Sequence, residues 1–237
     1  MITDKWDTSN NVANFNSPSI TPSGFFGDSD KNIVEVENAI TEEEQTVLLA
    51  FARNNNSFDD IPTEFNENGT LIYDERPWAN RVITGEELVK NGHNEIIEIV
   101  TNIINRFKLV IESFFEVKAT PTGPAIVRWP VGARQEPHAD KELHEGPDSG
   151  TPNSFPWYDL GTVFYLNDDY TGGELYFPKQ GVEFKPKPRA GYFFPGDMNY
   201  IHGVRPISEG CRYTLPYFWT IYELPEKFSG PKDFKND

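Results

Sequence analysis

Residues 136–147 read EPHADKELHEGP and hold two of the four histidines, His138 and His144, beside the acidic residues Glu136, Asp140, Glu142 and Glu145. In extended backbone, residues i and i+2 project to one face. His138 and Asp140 can therefore present an imidazole and a carboxylate to a single cation. A third ligand must come from elsewhere in the chain. His93 falls in a region of helical periodicity, whereas His202, in DMNYIHGVRPISEGCRY, falls between two expected strands. Two imidazoles and one carboxylate on one side of an ion leave its other positions open, which suits non-haem iron(II) and its oxygen chemistry. The same set could hold zinc, but the chain has a single thiol, Cys211, and no evident general base beyond the ligands themselves. His144 is the competing ligand; six residues past His138 and among Gly and Pro, it reads more simply as a solvated loop histidine. A lone His-x-Asp is a common tripeptide, so the reading depends on its surroundings.

The elements that must position these groups change character near Thr120. Before it, AITEEEQTVLLAFARNN carries a capping box, Thr41 with Glu44, ahead of an apolar stripe at Val47, Leu48 and Phe51, which predicts a helix of about three turns. A second box, Thr84 with Glu87, opens a longer segment with apolar residues at Ile96, Val100, Ile103, Ile104, Phe107, Ile111, Phe114 and Phe115. Steps of three and four predict an amphipathic helix, continuous or broken once. A Pro- and Asn-rich connection spans 54–83, and residues 1–35 read as a flexible segment pinned at Trp6, Phe25 and Phe26. After Thr120, short β-branched and aromatic runs alternate with Pro, Gly and Asp: AIVRWPVG, LGTVFYLND, GGELYFP, GVEFKPKP, AGYFFPG, HGVRPIS and CRYTLPYFWT. These predict an all-β sandwich or barrel. The expected architecture is mainly β with N-terminal helices: helical support over 36–119 packed against a β core over 120–222, with a tail at 223–237, all one domain of 36–237.

The 237 residues carry a net charge of -16, with 21 acidic and 9 basic residues in 1–120 against 16 and 12 in 121–237. Such a field repels a nucleic-acid backbone and favours solubility or a basic protein partner. No apolar run reaches the length needed to cross a bilayer, the first residues lack the pattern of a secretory signal, and one cysteine excludes an intrachain disulfide framework. The expectation is a cytoplasmic protein with no nucleic-acid or membrane partner; its oligomeric state is left open.

Taken together, RWPVGARQEPHAD, LGTVFYLNDDYTGGELYFP and GVEFKPKPRAGYFFPGDMNYIHGVRPISEGCRYTLPYFW resemble the iron(II)/2-oxoglutarate-dependent dioxygenases, in their prolyl 4-hydroxylase-like branch, over most of residues 124–220. The resemblance implies a double-stranded β-helix (jelly roll). It implies iron(II) held by His138, Asp140 and His202, with 2-oxoglutarate as co-substrate and O2 as oxidant; an ascorbate requirement stays open. The family's carboxylate-binding basic residue, ten positions after the distal histidine, falls on Arg212, and its tyrosine before the third strand's Leu-Asn falls on Tyr165.

Alternation supports the Arg212 assignment independently. In CRYTLPYFWT it places Arg212, Thr214, Pro216 and Phe218 on one face, and Tyr213, Leu215, Tyr217 and Trp219 on the other. The aromatic face suits packing on the helices, so the first face lines the barrel and encloses a guanidinium that needs an anion. A dicarboxylic acid supplies one and a planar fork can hold it; the plainer alternative is an ion pair with an Asp or Glu. For Tyr165 the plainer alternative is a core tyrosine. One departure stands out: where the family often has a tyrosine in a Y-x-x-G context of the first strand, this chain has Trp129. An indole donates one hydrogen bond and accepts none. Cys211 reads as a small packed residue.

The function that follows is hydroxylation of a C–H bond with conversion of 2-oxoglutarate to succinate. The branch implies a prolyl residue in a peptide or protein; a free amino acid or other small molecule, or a non-catalytic metal-binding jelly roll, are the alternatives. Loops at 141–158 and 54–83 are candidate lids. Arg134 reads as a surface residue or a contact to substrate backbone. The nucleic-acid demethylase branch carries a second arginine six residues after the first, where this chain has Phe218.

Overall fold

The computed structural model describes residues 21–55, 58 and 81–223. Both capping boxes form. Thr41 Oγ1 accepts from the Glu44 N–H at 3.2 Å while Glu44 Oε2 accepts from the Thr41 N–H at 2.9 Å, and helix α1 runs Glu42–Asn54. Thr84 and Glu87 start α2, Gly85–Lys90, in the same way. The periodic segment is broken once, at residues 91–93, and resumes as α3, Asn94–Phe115. Its stripe of Ile96, Val100, Ile103, Ile104, Phe107 and Ile111 is buried, joined by Ile97. Phe114 departs from the expectation and is 46% exposed. The helix ends at the next residue, and it is Phe115 that turns inward against Phe26, at 4.7 Å.

Thirteen strands follow among the described residues: β1 Val34–Val36, β2 Val82–Thr84, β3 Lys118–Pro121, β4 Ala125–Trp129, β5 Gln135–His138, β6 Leu160–Tyr165, β7 Tyr170–Gly172, β8 Leu175–Phe177, β9 Val182–Phe184, β10 Gly191–Pro195, β11 His202–Val204, β12 Ile207–Gly210 and β13 Arg212–Glu223. A major sheet is ordered β1-β10-β6-β13-β4-β2, with β3 also on β13; a minor sheet is ordered β5-β11-β8-β9; β12 pairs β7. These antiparallel sheets make a double-stranded β-helix with the helices packed on the major sheet.

Alternation along the central strands divides two cores. Leu160, Phe164, Phe193, Leu215, Tyr217 and Trp219 pack with the helices, as the aromatic face of CRYTLPYFWT predicts. Tyr165, Tyr192 and Phe194 turn the other way to meet Leu175, Phe177 and Tyr200 inside the barrel. Helix α3 approaches the major sheet closely: Phe107 meets Phe164 edge-on at 4.7 Å, and a β-carbon at Gly191 would fall 2.8 Å from the Phe164 ring and 3.1 Å from Phe107 Cε2. Only glycine fits there.

Two boundaries change. Residues 36–119 are not purely helical, because β2 joins β4 and β3 begins at Lys118. Three-residue strands such as β1 and β2 are too short for a period of two to register in sequence. The described part of 1–35 is also tied down. β1 pairs with β10, the Gly24 N–H donates to Asp197 Oδ2 at 2.9 Å, and Asn32 Nδ2 donates to Tyr200 Oη at 2.8 Å. Trp6, most of the 54–83 connection and the tail beyond 223 lie outside the described residues. Among the described residues no helix is long and apolar enough to cross a membrane.

Candidate active site

Strand β5 ends at His138, so Asp140 lies just past the strand rather than on it. The chain there is clamped from both sides: the Lys141 N–H donates to Gly196 O at 3.0 Å, and Asn153 Nδ2 donates to Asp140 O at 3.0 Å. Across the minor sheet, His202 opens β11 directly opposite His138 in register. The two rings lie 4.5 Å apart, and each Nε2 is 3.7 Å from Asp140 Oδ1.

Backbone carbonyls set the tautomers. His138 Nδ1 lies 3.0 Å from Glu136 O and His202 Nδ1 lies 3.0 Å from Tyr200 O. A carbonyl only accepts, so each Nδ1 carries the proton and each Nε2 keeps a lone pair, which on His138 accepts from Gln135 Nε2 at 3.1 Å. Burial lowers both imidazole pKa values, which keeps these lone pairs available. The ligand atoms of the three residues all lie within 4.8 Å of one another, a cluster able to hold a metal ion. Asp140 tests that fit. Its Oδ2 is buried with no hydrogen-bond partner, and burial pushes the carboxyl up to about 8. An anion so desolvated calls for a cation, and a dication on this donor set supplies one.

Arg212 is where alternation places it, 1% exposed at the start of β13. Its guanidinium lies over Trp129 at 4.2 Å and Tyr165 at 5.5 Å. Nη1 donates to Gly173 O at 2.6 Å, while Nε is buried without a partner. The alternative of a structural ion pair is not what forms: among the described residues no carboxylate bridges Arg212. Tyr165 comes together with Arg212, its ring edge-on to Tyr192 at 5.4 Å in the inner core. Trp129 spends its single donor on Thr214 Oγ1 at 3.0 Å.

A cavity of about 970 Å³ opens over His138 and Asp140, lined also by Gln135, Phe155, Tyr158 and Phe218. Tyr158 stacks on Phe218 at 3.9 Å and Phe155 stacks on Tyr158 at 4.9 Å, so the 141–158 loop builds an aromatic wall with β13. Val82 and Thr84, on strand β2, also line the cavity. His144 lines it too but stands outside the metal cluster, with Nε2 3.6 Å from Glu145 Oε1. Arg134 is a surface residue that donates from Nε to Glu136 Oε1 at 2.8 Å.

Several contributors were missed by sequence reasoning. Lys141 and Asp159 form a buried ion pair behind Asp140, and Tyr158 and Tyr170 border the site. Their partners are brought together only by the fold. Gly161 is another: a β-carbon there would meet Asp140 Oδ2 at 2.6 Å and Phe194 Cε2 at 2.8 Å. Gly161→Ala is therefore expected to displace the carboxylate and weaken divalent-metal affinity by about 10- to 100-fold, the usual cost of disturbing a ligand's support. Calorimetric metal titration checks this.

The fold is that of the prolyl hydroxylase-like 2-oxoglutarate–iron(II) oxygenases, the class whose resemblance the motifs carry. Among solved structures the chain is similar to a viral collagen prolyl hydroxylase of Paramecium bursaria Chlorella virus-1 in its 2-oxoglutarate complex. The identity is 15% with a TM-score of 0.52, over 83% of this chain and 99% of that one. It is also similar to a Trichoplax adhaerens prolyl hydroxylase solved with a hypoxia inducible factor peptide, at 16% identity and a TM-score of 0.53, over 92% and 91% of the two chains. In sequence it is similar to Homo sapiens prolyl 3-hydroxylase 3, 32% identical over 92 residues, which is 35% of this chain and 12% of that protein. The chain thus spans about an eighth of that relative's length. No family model matches.

Proposed function

We propose that this chain is an iron(II)- and 2-oxoglutarate-dependent dioxygenase that hydroxylates a C–H bond of a prolyl residue in a peptide or protein. The observation that carries the reading is Arg212: a buried cation without a carboxylate partner among the described residues, in the same barrel as the His138–Asp140–His202 cluster. A metal-binding scaffold alone has no use for that charge, whereas a dicarboxylic co-substrate needs it.

In this reading His138 Nε2, the Asp140 carboxylate and His202 Nε2 hold the iron. The metal and co-substrate supply the chemistry in which O2, 2-oxoglutarate and a substrate C–H become succinate, carbon dioxide and C–OH. The chain's own work is placement. Arg212 takes the distal carboxylate with its planar fork, and Tyr165 closes the pocket beside it. Phe177 and Phe194, with ring centroids 5.5 and 4.4 Å from the His202 ring, keep water from that flank of the centre. The Phe155–Tyr158–Phe218 wall offers flat apolar faces to a pyrrolidine ring. Glu86 and Glu87 in the cavity lining, with the acidic first half of the chain, favour basic residues around the proline.

The test is incubation with iron(II), 2-oxoglutarate and O2 against proline-containing peptides with basic or neutral flanks, with and without ascorbate. The expected result is a peptide mass gain of one oxygen matched by one succinate. If only a free amino acid or another small molecule gains oxygen, the peptidyl substrate is wrong. If no succinate forms under any condition, the protein is a metal-binding jelly roll without turnover.

A further inference from the structure

Resting on the co-substrate reading above, we infer that the Tyr170 hydroxyl is a second donor to the distal carboxylate of the 2-oxo acid, working beside Arg212. Tyr170 opens β7, and its ring packs with Trp129, Val127 and Ile207 at the inner end of the barrel. Its hydroxyl is buried and has no hydrogen-bond partner, and Arg212 Nε is in the same state. A buried phenol ordinarily finds a partner, because leaving one unpaired is costly.

Gly173 shows that the two side chains border one spot. A β-carbon there would lie 2.5 Å from Ile207 Cδ1, 3.2 Å from Tyr170 Cε2 and 3.3 Å from Arg212 Nη1, and the residue's φ of +74° suits glycine in any case. The same glycine's carbonyl accepts from Arg212 Nη1. Tyr170 and Arg212 thus approach the same glycine beside the Ile207 side chain, and each carries one unpaired donor, the Tyr170 hydroxyl and Arg212 Nε. Two donors on one small patch, one of them cationic, match the two oxygens of a carboxylate.

The indole beneath the guanidinium does not compete for this role. Trp129 has its only donor on Thr214 Oγ1. Burial raises the Tyr170 phenol well above its ordinary pKa, while Arg212 acts in the opposite sense, so the group stays a protonated donor close to the guanidinium. The inner end of the barrel then selects a 2-oxo acid by its far end: a carboxylate satisfies both donors, whereas a methyl group leaves both unpaired.

The test compares 2-oxoglutarate with 2-oxovalerate, which keeps the 2-oxo acid end and replaces the distal carboxylate by methyl. Binding to the Mn(II)-loaded full chain is measured by calorimetry for wild type and Tyr170→Phe. The variant is expected to lose about 10- to 100-fold in 2-oxoglutarate affinity, the scale of one hydrogen bond to a charged group, and to bind 2-oxovalerate as wild type does. Without ligand its thermal midpoint should equal or exceed that of wild type, since an unpaired buried hydroxyl has been removed. Unchanged 2-oxoglutarate affinity overturns the proposal, as does an equal loss for both acids. A lowered midpoint without ligand also overturns it, because the hydroxyl would then have a structural partner. If wild type itself fails to prefer 2-oxoglutarate over 2-oxovalerate, the co-substrate reading falls, and this assignment with it.

Discussion

Arg212→Met is expected to abolish tight 2-oxoglutarate binding without harming the fold. Methionine keeps the length and apolar stem that lie between Trp129 and Tyr165. What disappears is the charge. With no dicarboxylate bound, that charge is desolvated, its Nε is unpaired, and burial pulls its pKa down. Losing the bond to Gly173 O and losing a costly buried charge roughly offset. The unliganded stability should therefore stay within about 1 kcal/mol of wild type. With 2-oxoglutarate present the balance reverses. Truncating one side of a buried, hydrogen-bonded charge pair costs about 2–5 kcal/mol, or roughly 30- to several-thousand-fold in affinity. Thermal melting with and without co-substrate reads both halves at once: the wild-type midpoint should climb with 2-oxoglutarate and the variant's should not. A variant that unfolds when unliganded would mean that Arg212 is a structural ion-pair partner after all.

The second large effect is on stability. Lys141 Nζ donates to Asp159 Oδ1 at 2.7 Å, with side-chain exposures of 6% and 0%, and also to Thr21 O at 2.7 Å. Asp159 Oδ2 accepts from the Ile221 N–H at 2.8 Å. The cluster ties the residue after Asp140 to β13 and to the N-terminal segment. Asp159→Ala strands a buried ammonium and frees a backbone donor, for a loss of about 3–5 kcal/mol. For a chain of this size that lowers the melting midpoint by roughly 6–20 °C. The double variant Lys141→Met/Asp159→Leu should recover a large part of the loss, since removing both charges removes the desolvation cost along with the attraction. A single variant that melts within 2 °C of wild type, about the shift of a 1 kcal/mol change, would contradict this.

What could be read from the sequence were the features whose cause is local. Capping boxes at Thr41 and Thr84 marked the helix starts because their bonds close within three residues. The stripe of α3 and the alternation around Arg212 are periodic, so burial followed from spacing. The cluster of His138 and Asp140 with His202 needed more than spacing, since β5 and β11 meet only through the fold; there the motif resemblance supplied what periodicity lacks. Where the cause is long-range, sequence was silent. Thr21 and Lys141 are 120 positions apart, and nothing in either neighbourhood marks them as partners. Tyr170 falls between the runs LGTVFYLND and GGELYFP, and only the fold brings its unpaired hydroxyl close to Arg212. The short strands β1, β2 and β7 carry too few residues for a period of two to show.

The central claim is that one barrel holds a metal at His138, Asp140 and His202 together with a 2-oxo acid anchored at Arg212. Anaerobic titration of the protein with iron(II) and then 2-oxoglutarate tests it most directly, through the weak visible charge-transfer band of the metal–2-oxo acid chelate. The account predicts the band in wild type, its loss in His202→Ala, and its displacement to much higher co-substrate concentration in Arg212→Met. Iron binding that depends on His202 but gives no band at saturating 2-oxoglutarate would contradict the account and leave a metal-binding jelly roll in its place.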